Sequence, residues 1–561
     1  MTLQSKFREA LRIWNQSGVA GVRARIEWNK TKAAEREAYV RWLQTHGSPD
    51  AAARQEMRLQ IRKFETRPLV SVLLPVYNVD EKWLRLCIDS VLGQVYENWE
   101  LCIADDCSPG PHIRRVLDEY AALDPRIKVV YRETNGHISA ASNSALELAA
   151  GEFVVLLDHD DELSPDALFW VASELNEFPE TAMIYSDEDM IDTAGRRSKP
   201  KFKPDFSRDL LYSLNLVTHL SAYSTKLMRS IGGFRIGFEG SQDYDVALRV
   251  VEQISEKQIR HIPRVLYHWR AIEGSVALSS DEKPYAHERA RNAIREHLTR
   301  AGIAATIVET HYNLHRVRYD LPEPAPPVSL VVHGKVGPDH ERQLAESTEY
   351  PDFKIIAADD HAVGRASRLN TAVRACSGLV VVFVEGGLVP RDRDWLTELV
   401  RFAVQPGVGA VGGKILGRDE TVVAGALVIG ADGSTAPAHY GYPRDIAGNM
   451  GRNQVVGNFS AVSESCLAVT RADLESAGGF DEVNLPNALF AADLCLRLGE
   501  TNGRIVLTPY AELIRQDQSP DPRPAVAELE YFKKRWPQYV AADPFYNPNL
   551  SRRDATFSID A

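Results

Sequence analysis

Four short stretches of this chain carry side chains whose type and spacing could do chemistry. The first, Asp158-His159-Asp160-Asp161, follows the apolar run 153–157. In extended backbone, residues i and i+2 project to one side, so the carboxylates of Asp158 and Asp160 are expected to converge. Hard oxygen ligands of this kind suit Mg²⁺ or Mn²⁺, which keeps several waters and takes its other ligands from a diphosphate. Asp160 is then the expected inner ligand, with Asp158 facing a nucleotide sugar or its ribose. The alternative is an acidic strand-to-helix loop in which Asp161 or Ser164 caps the helix that follows. The second stretch, Gly240-Ser241-Gln242-Asp243-Tyr244-Asp245, precedes the apolar segment 246–251. At a helix N-terminus Asp243 is expected to stay ionised and could accept a proton from an acceptor hydroxyl; the competing reading is an N-cap. In the third, Leu266-Tyr267-His268-Trp269-Arg270, His268 is either a packing residue or, beside Asp160, a metal ligand. Arg270 could then assist a diphosphate. The fourth, Ala104-Asp105-Asp106-Cys107-Ser108, ends another apolar run in acid.

The elements that must position these groups are visible from Leu69 onward. Short apolar runs (70–76, 100–104, 128–131, 153–157) alternate with amphipathic stretches of helix length (84–94, 112–123, 138–150). That alternation predicts an α/β sheet, largely parallel, with strands buried on both faces. The ends of the runs are polar: Pro75-Val76-Tyr77-Asn78, Asp105-Asp106 and Asp158–Asp161. In open α/β sheets ligands bind beyond the carboxyl ends of the strands, so three such ends in order predict one shared site.

The pattern then recurs. Asn143-Ser144-Ala145 and Gly151 return as Asn370-Thr371-Ala372 and Gly378, each offset by 227 residues. Tyr96 and Ala104-Asp105-Asp106 return as Tyr350 and Ala358-Asp359-Asp360, offset by 254. Gly232-Gly233-Phe234 matches Gly478-Gly479-Phe480, and Asp245-Val246-Ala247-Leu248-Arg249 matches Asp493-Leu494-Cys495-Leu496-Arg497. The chemical positions do not return. Asp158 and Asp160 become Glu385 and Gly387, Asp243 becomes Ala491, and Pro75–Asn78 becomes His333-Gly334-Lys335-Val336. Asp245, whose partner Asp493 survives, reads as structural.

Length and charge set the frame. The chain has 561 residues, 44% hydrophobic and 25% charged, enough for several folded units and unlike a disordered or fibrous composition. A net charge of −12 excludes nucleic acid as the main partner, since no bulk basic field meets the phosphates. Six cysteines without a CxxC pair read as buried or free thiols of a reducing compartment. No apolar run approaches the ~18 residues of a membrane span, and the first residues lack an apolar leader, so a cytoplasmic location is expected. Residues 1–67 carry 14 Lys and Arg against 7 Asp and Glu. With Leu3, Phe7, Leu11 and Trp14 at helical period, and Val40, Trp42 and Leu43 less cleanly so, this basic end reads as helices. They either pack on the next domain, the preferred reading, or sit on the anionic cytoplasmic face of a membrane.

Taken in order, Pro75-Val76-Tyr77-Asn78, Asp105-Asp106, Asp158-His159-Asp160, Gly232-Gly233-Phe234, Gln242–Asp245 and Tyr267-His268-Trp269-Arg270 resemble family 2 glycosyltransferases of the GT-A fold. The branch they look most like is the bacterial rhamnosyltransferase-like enzymes of O-antigen and surface polysaccharide synthesis. The resemblance covers about residues 68–310. It implies Pro75, Tyr77 and Asn78 in a nucleotide pocket, Asp105 or Asp106 on the base, and Asp158 on the ribose or donor sugar. It further implies Asp160 and His268 on Mn²⁺ or Mg²⁺, and Asp243 as general base of a single inverting displacement. Gln242 stands where the family usually has Glu. The implied partners are a nucleotide-diphosphate sugar and a glycan or lipid-linked glycan acceptor.

The expected organisation is a basic helical region (1–67), a catalytic domain (68–312), a Pro-rich linker (313–327), a second and non-catalytic copy (328–520) and a tail (521–561). Two rivals stand beside it: a scaffold in which neither sheet turns over substrate, and a bifunctional enzyme in which Glu385 serves a second site. A nucleotidyltransferase is disfavoured because 75–78 is not a Gly-rich phosphate loop.

Overall fold

In the computed structural model the described residues are 34–272, 284–310, 314–334, 339–358, 364–501, 503–516 and 523–561, together with Lys30. Among them no helix is long and apolar enough to cross a membrane. They form two compact units. The first holds Arg36–Phe206 and Leu214–His315; the second holds Ser207–Ser213 and Arg316–Asp560. The division between them falls at 315/316, and residues 36–67 lie in the first unit.

The first unit is built on a nine-stranded sheet. Its strands are β1 (Val70–Val76), β2 (Trp99–Asp105), β3 (Ile127–Tyr131), β4 (Phe153–Leu156), β5 (Glu162–Leu163), β6 (Met183–Ile191), β7 (Arg197–Lys201), β8 (Ser221–Ser224) and β9 (Ile259–Arg270). They lie in the order β3-β2-β1-β4-β8-β6-β9-β5, with β7 hairpinned on β6. β3, β2, β1 and β4 are mutually parallel, as the apolar runs predict. β8 enters antiparallel between β4 and β6, which makes the otherwise largely parallel sheet a mixed one. β7 and β8 both run antiparallel to β6, β7 against its C-terminal half and β8 against its N-terminal half, so β8 continues the direction set by the β6–β7 hairpin.

Helices cover the parallel half because their apolar residues recur at helical spacing. In Glu81–Leu92 the buried positions are Leu84, Cys87, Ile88 and Val91, and Asp80 starts the helix by accepting from the Lys82 amide at 2.8 Å. Two helices before β1 pack on this core as well. Residues 34–46 bury Tyr39 and Trp42, and Trp42 meets Phe202 edge-on. Ala51–Ile61 leads to Phe64, which stacks on Phe169. The described part of the basic end is therefore a packed one; Leu3, Phe7, Leu11 and Trp14 lie outside the described residues.

The second unit repeats this sheet. Val328–His333, Phe353–Ala357 and Val380–Glu385 pair in parallel like β1, β2 and β4. Cys466–Thr470 then enters antiparallel like β8, next to Val408–Leu416 and Arg504–Arg515 in the places of β6 and β9. The tail packs here, with Phe532 and Trp536 buried.

The motifs that recur in sequence turn out to be fasteners. Asn143 donates to the Phe234 carbonyl and accepts from its amide, both at 2.8 Å. Asn370 does the same for Phe480, at 2.9 and 3.0 Å. Gly233 and Gly479, at φ +65° and +73°, let these asparagines approach where a Cβ would collide with them. Arg249 ties Asp245 to the carbonyls of Ile231 and Gly233, and Arg497 ties Asp493 to those of Ala477 and Gly479. The Tyr96 hydroxyl bonds the Pro68 carbonyl at 2.8 Å, the Tyr350 hydroxyl that of Pro326 at 2.7 Å. Asp359 and Asp360 lie outside the described residues.

Candidate active site

At the carboxyl ends of β1 and β4 the first unit opens a cleft. Pro75, Ser142, Asp158, Thr218, His219, Ser221, Gln242, Asp243 and Tyr267 all face it, so residues far apart in sequence meet where the strand-end rule places a ligand.

The acidic turn is set by β4 ending at Leu156. Residues 158–161 leave extended backbone, and the Asp161 amide reaches the Asp158 carbonyl at 3.2 Å. That turn brings i and i+3 together instead of i and i+2. Ligand atoms of Asp158, Asp161 and His219 lie within 4.8 Å of one another, the one such group of three among the described residues. The expected pair Asp160 and His268 is therefore not the set that converges. The reason is the turn, which the extended-strand expectation did not include. Asp161 is buried; its carboxylate accepts from the Tyr267 hydroxyl at 2.6 Å and the Arg270 amide at 2.7 Å. Burial first, then the negative charges of Asp160 and Asp158, push its carboxyl well above the usual range. Crowded acid of this kind is what a divalent cation would relieve, and the donor set of two carboxylates and an imidazole fits Mn²⁺ or Mg²⁺. The imidazole of His219, stacked on Tyr267 at 4.4 Å, is lowered to about 4 by burial, so it is neutral and can offer a lone pair.

His268 lies in β9 opposite Glu162 of β5. Its Nδ1 sits 2.7 Å from Asp189 Oδ1, which fixes the ring and leaves Nε2 as its other nitrogen. Arg270 is the clearest correction. Its buried side chain donates to the Asp160 carbonyl at 2.7 Å, pairs with Glu162 and lies 4.5 Å over Trp83. It braces the acidic turn from behind and is not directed at a diphosphate, because the strand pairing that brings β9 to β5 also buries it.

Asp243 opens the helix Gln242–Val251. Its Oδ2 accepts from Asn215 Nδ2 at 2.8 Å and, more weakly, Thr218 Oγ1 at 3.4 Å. Burial raises its carboxyl above the ordinary value, outweighing the amides and side chains that lower it. The helix end alone predicted a firmly ionised group. Loss of solvent around this partly buried carboxyl instead brings its affinity for protons toward that of a useful base.

The strand ends β1 and β2 hold the remaining expected residues. Tyr77 is exposed, its amide 3.4 Å from His159 Nδ1, and the Asn78 amide donates to Ser108 Oγ at 2.9 Å. Asp105 accepts from the Ser108 amide at 3.2 Å. Asp106 is consumed within the fold, by Arg132 at 2.8 Å and the Gly136 amide at 3.0 Å, which leaves it occupied by the protein's own donors.

Sequence reading missed His219 and the residues behind it. Glu188 pairs with Lys201 at 2.5 Å and with buried Lys203 at 3.3 Å, and Lys203 donates to the carbonyls of Thr218 and His219. The signal was present: three acids inside a strand, Asp187-Glu188-Asp189, followed by the basic stretch 196–203.

The second unit lacks the constellation. Phe153 pairs with Ser224 and Val380 with Thr470, which sets Ser465 at the place of His219. Ser465 donates to Glu385 at 2.8 Å, and Arg515 pairs with the same carboxylate at 2.7 Å. An arginine thus neutralises the acid that stands in place of Asp158, and Leu388 stands where Asp161 would be.

Residues 71–232 match the family model described as Glycosyl transferase family 2. The chain is 39% identical over 533 residues to "Uncharacterized protein y4gI" of Sinorhizobium fredii, covering 88% of this chain and 58% of that protein. It is 33% identical over 553 residues to "O-antigen biosynthesis protein RfbC" of Myxococcus xanthus, covering 91% and 42%. Over 231 residues it is 28% identical to "Putative colanic acid biosynthesis glycosyl transferase WcaA" of Escherichia coli, covering 40% and 79%. The chain spans about half the length of the first two relatives. The matched stretch runs from β1 past β8 and contains the acidic turn and His219, and over these residues the chain is similar to glycosyl transferase family 2.

Proposed function

We propose that the first unit transfers a sugar, with inversion, from a nucleoside-diphosphate sugar to a hydroxyl of a growing cell-surface glycan such as an O-antigen or capsule. The observation that carries the reading is the convergence of Asp158, His219 and Asp243 on one cleft. Asp243, oriented by Asn215 and Thr218, takes the acceptor proton as the acceptor oxygen bonds the anomeric carbon and the bond to the diphosphate breaks. Pro75, Tyr77, Asn78 and Asp105 form the nucleotide side of the site, and Asp158 meets the ribose or sugar. Asp158, Asp161 and His219 would hold Mn²⁺ or Mg²⁺, with Asp160 on the same turn. When bound, the cation offsets the charge of the departing nucleoside diphosphate. The names of the O-antigen and colanic acid relatives support a polysaccharide acceptor.

The second unit is the non-catalytic copy, because Arg515 and Ser465 occupy Glu385 and Ala491 stands at the base position. It binds acceptor glycan or a partner. Contact of the basic end with an anionic membrane face is the remaining part of the reading, carried by the charge of residues 1–67.

A thermal-shift panel of UDP-, GDP- and dTDP-sugars with and without Mn²⁺ tests the proposal. Stabilisation by at least one donor, greater with Mn²⁺, is expected; none from any donor sinks the enzyme reading.

A further inference from the structure

One phenol touches every member of the convergent group of two acids and a histidine. Tyr267 of β9 is fully buried and lines the cleft. Its hydroxyl donates to Asp161 Oδ2 at 2.6 Å and accepts from the Asp158 amide at 3.2 Å. Its ring stacks on the imidazole of His219, the centroids 4.4 Å apart. The hydroxyl thus bridges the two ends of the turn 158–161, and the ring sets the plane of the histidine. The turn's own bond, from the Asp161 amide to the Asp158 carbonyl, joins backbone only and does not orient a carboxylate. That task falls to the phenol on Oδ2 and the Arg270 amide on Oδ1.

The second unit shows what this position needs when it serves the core alone. Tyr267 pairs with Leu163 of β5 and with Glu188 of β6. In the second sheet Leu513 pairs with Pro390 and with Ile415. Pro390 and Ile415 lie 227 residues after Leu163 and Glu188, the same offset that separates Asn370 from Asn143. Both pairings therefore put Leu513 in the place of Tyr267, and Leu513 is fully buried as well. A leucine fills the sheet where no acids have to be held; the hydroxyl is present only beside Asp158 and Asp161.

We infer that Tyr267 is a positioning residue for the divalent-cation group: its hydroxyl fixes the turn that carries Asp158 and Asp161, and its ring fixes His219. This deepens the proposed function and rests on the reading of those three residues as cation ligands. Groups that orient ligands in this way govern affinity without touching the ion.

The test uses the full chain and MnCl₂, reading free Mn²⁺ by its electron paramagnetic resonance signal. Tyr267→Phe keeps the stack on His219 and removes both hydroxyl contacts. It is expected to weaken Mn²⁺ binding about tenfold, since losing an outer partner of a ligand costs roughly 10- to 100-fold in affinity. Tyr267→Leu, which copies the second unit, also removes the ring and should weaken binding at least as much. Circular dichroism of Tyr267→Phe should match the parent chain; a role in packing alone would lower its unfolding midpoint and leave Mn²⁺ affinity where it was. An unchanged Mn²⁺ affinity in Tyr267→Phe, while Asp158→Ala loses binding, overturns the inference and leaves the ligand assignment intact. Binding unaltered in Asp158→Ala, or absent from the parent chain, removes the ligand assignment and the inference with it.

Discussion

The two units are the same sheet with different contents, and their comparison separates fold from chemistry without any second sequence. What recurs holds backbone: Asn143 and Asn370 clasp the Gly-Gly-Phe turn, Asp245–Arg249 and Asp493–Arg497 brace it, Tyr96 and Tyr350 tie the chain entering the first strand. What does not recur faces the cleft. His219 becomes Ser465, Asp243 becomes Ala491, and Asp158 becomes a glutamate closed by Arg515. A Gly-Gly-Phe or Asp-x-x-x-Arg pattern is therefore a statement about architecture, however family-like it looks. The acid that vanishes from one copy is the better guide to the reaction.

That division can be broken at several depths. The largest effect is expected from Asp243→Asn, which should lower sugar transfer about 10²- to 10⁴-fold, the span of a lost general base, in a nucleoside-diphosphate release assay. The mirror change Ala491→Asp should leave the rate where it was; residual transfer of a different sugar by Asp243→Asn would mean that the second unit is active.

Next, Asp158→Ala should abolish the Mn²⁺-dependent part of the donor-induced melting shift, whereas Glu385→Ala should not alter it. Loss of the shift in both would show two metal sites where the geometry gives one.

A pH dependence should mark the first unit alone. His261, buried between Asp187 at 3.0 Å and Asp205 at 3.1 Å, is raised to about 9: burial opposes the charged form, but the two carboxylates outweigh it. The folded value exceeds the ordinary ~6.5, so the stabilisation is complete below about pH 6.5 and is lost as pH rises through 9. The loss should amount to about 3 kcal/mol, read by urea unfolding of the first transition between pH 6 and 10. The strand pairings place Leu507 at the equivalent position, and the second unit should lack this limb.

Smaller and symmetric losses should follow from the shared clasp. Asn143→Ala and Asn370→Ala each remove two hydrogen bonds and should each cost about 2 kcal/mol in their own unit's transition. The smallest effect belongs to Arg515→Ala, about 1 kcal/mol, because Glu385 is only partly buried and keeps Ser465 as donor.

Much of this was legible beforehand because it is periodic or sits at strand ends. The buried runs 70–76 and 153–157 could only be interior strands, and their polar termini marked the cleft that Pro75, Asp158 and Asp243 face. His219 was not legible. It lies in a loop without motif and reaches Asp158 only because Val155 of β4 pairs with Ala222 of β8. Arg270 was misread for a related reason: a sequence shows that a cation follows a histidine but not which way it points, and here it points into the acidic turn.

The sequence by itself indicated two α/β units, of which only one carries the Asp-x-Asp of positions 158–160 and the Asp of position 243, and it indicated which carboxylates end the strands. Those facts reside in local spacing and in a comparison of the chain with itself. The tertiary structure alone decided which ligands converge, since a turn at 158–161 replaced an extended strand and an antiparallel β8 brought in His219. It also decided that Asp243 is raised and not simply ionised, and that Tyr267 is tied to Asp158 and Asp161. Burial and long-range pairing set these outcomes, and neither is a property of neighbouring residues along the chain.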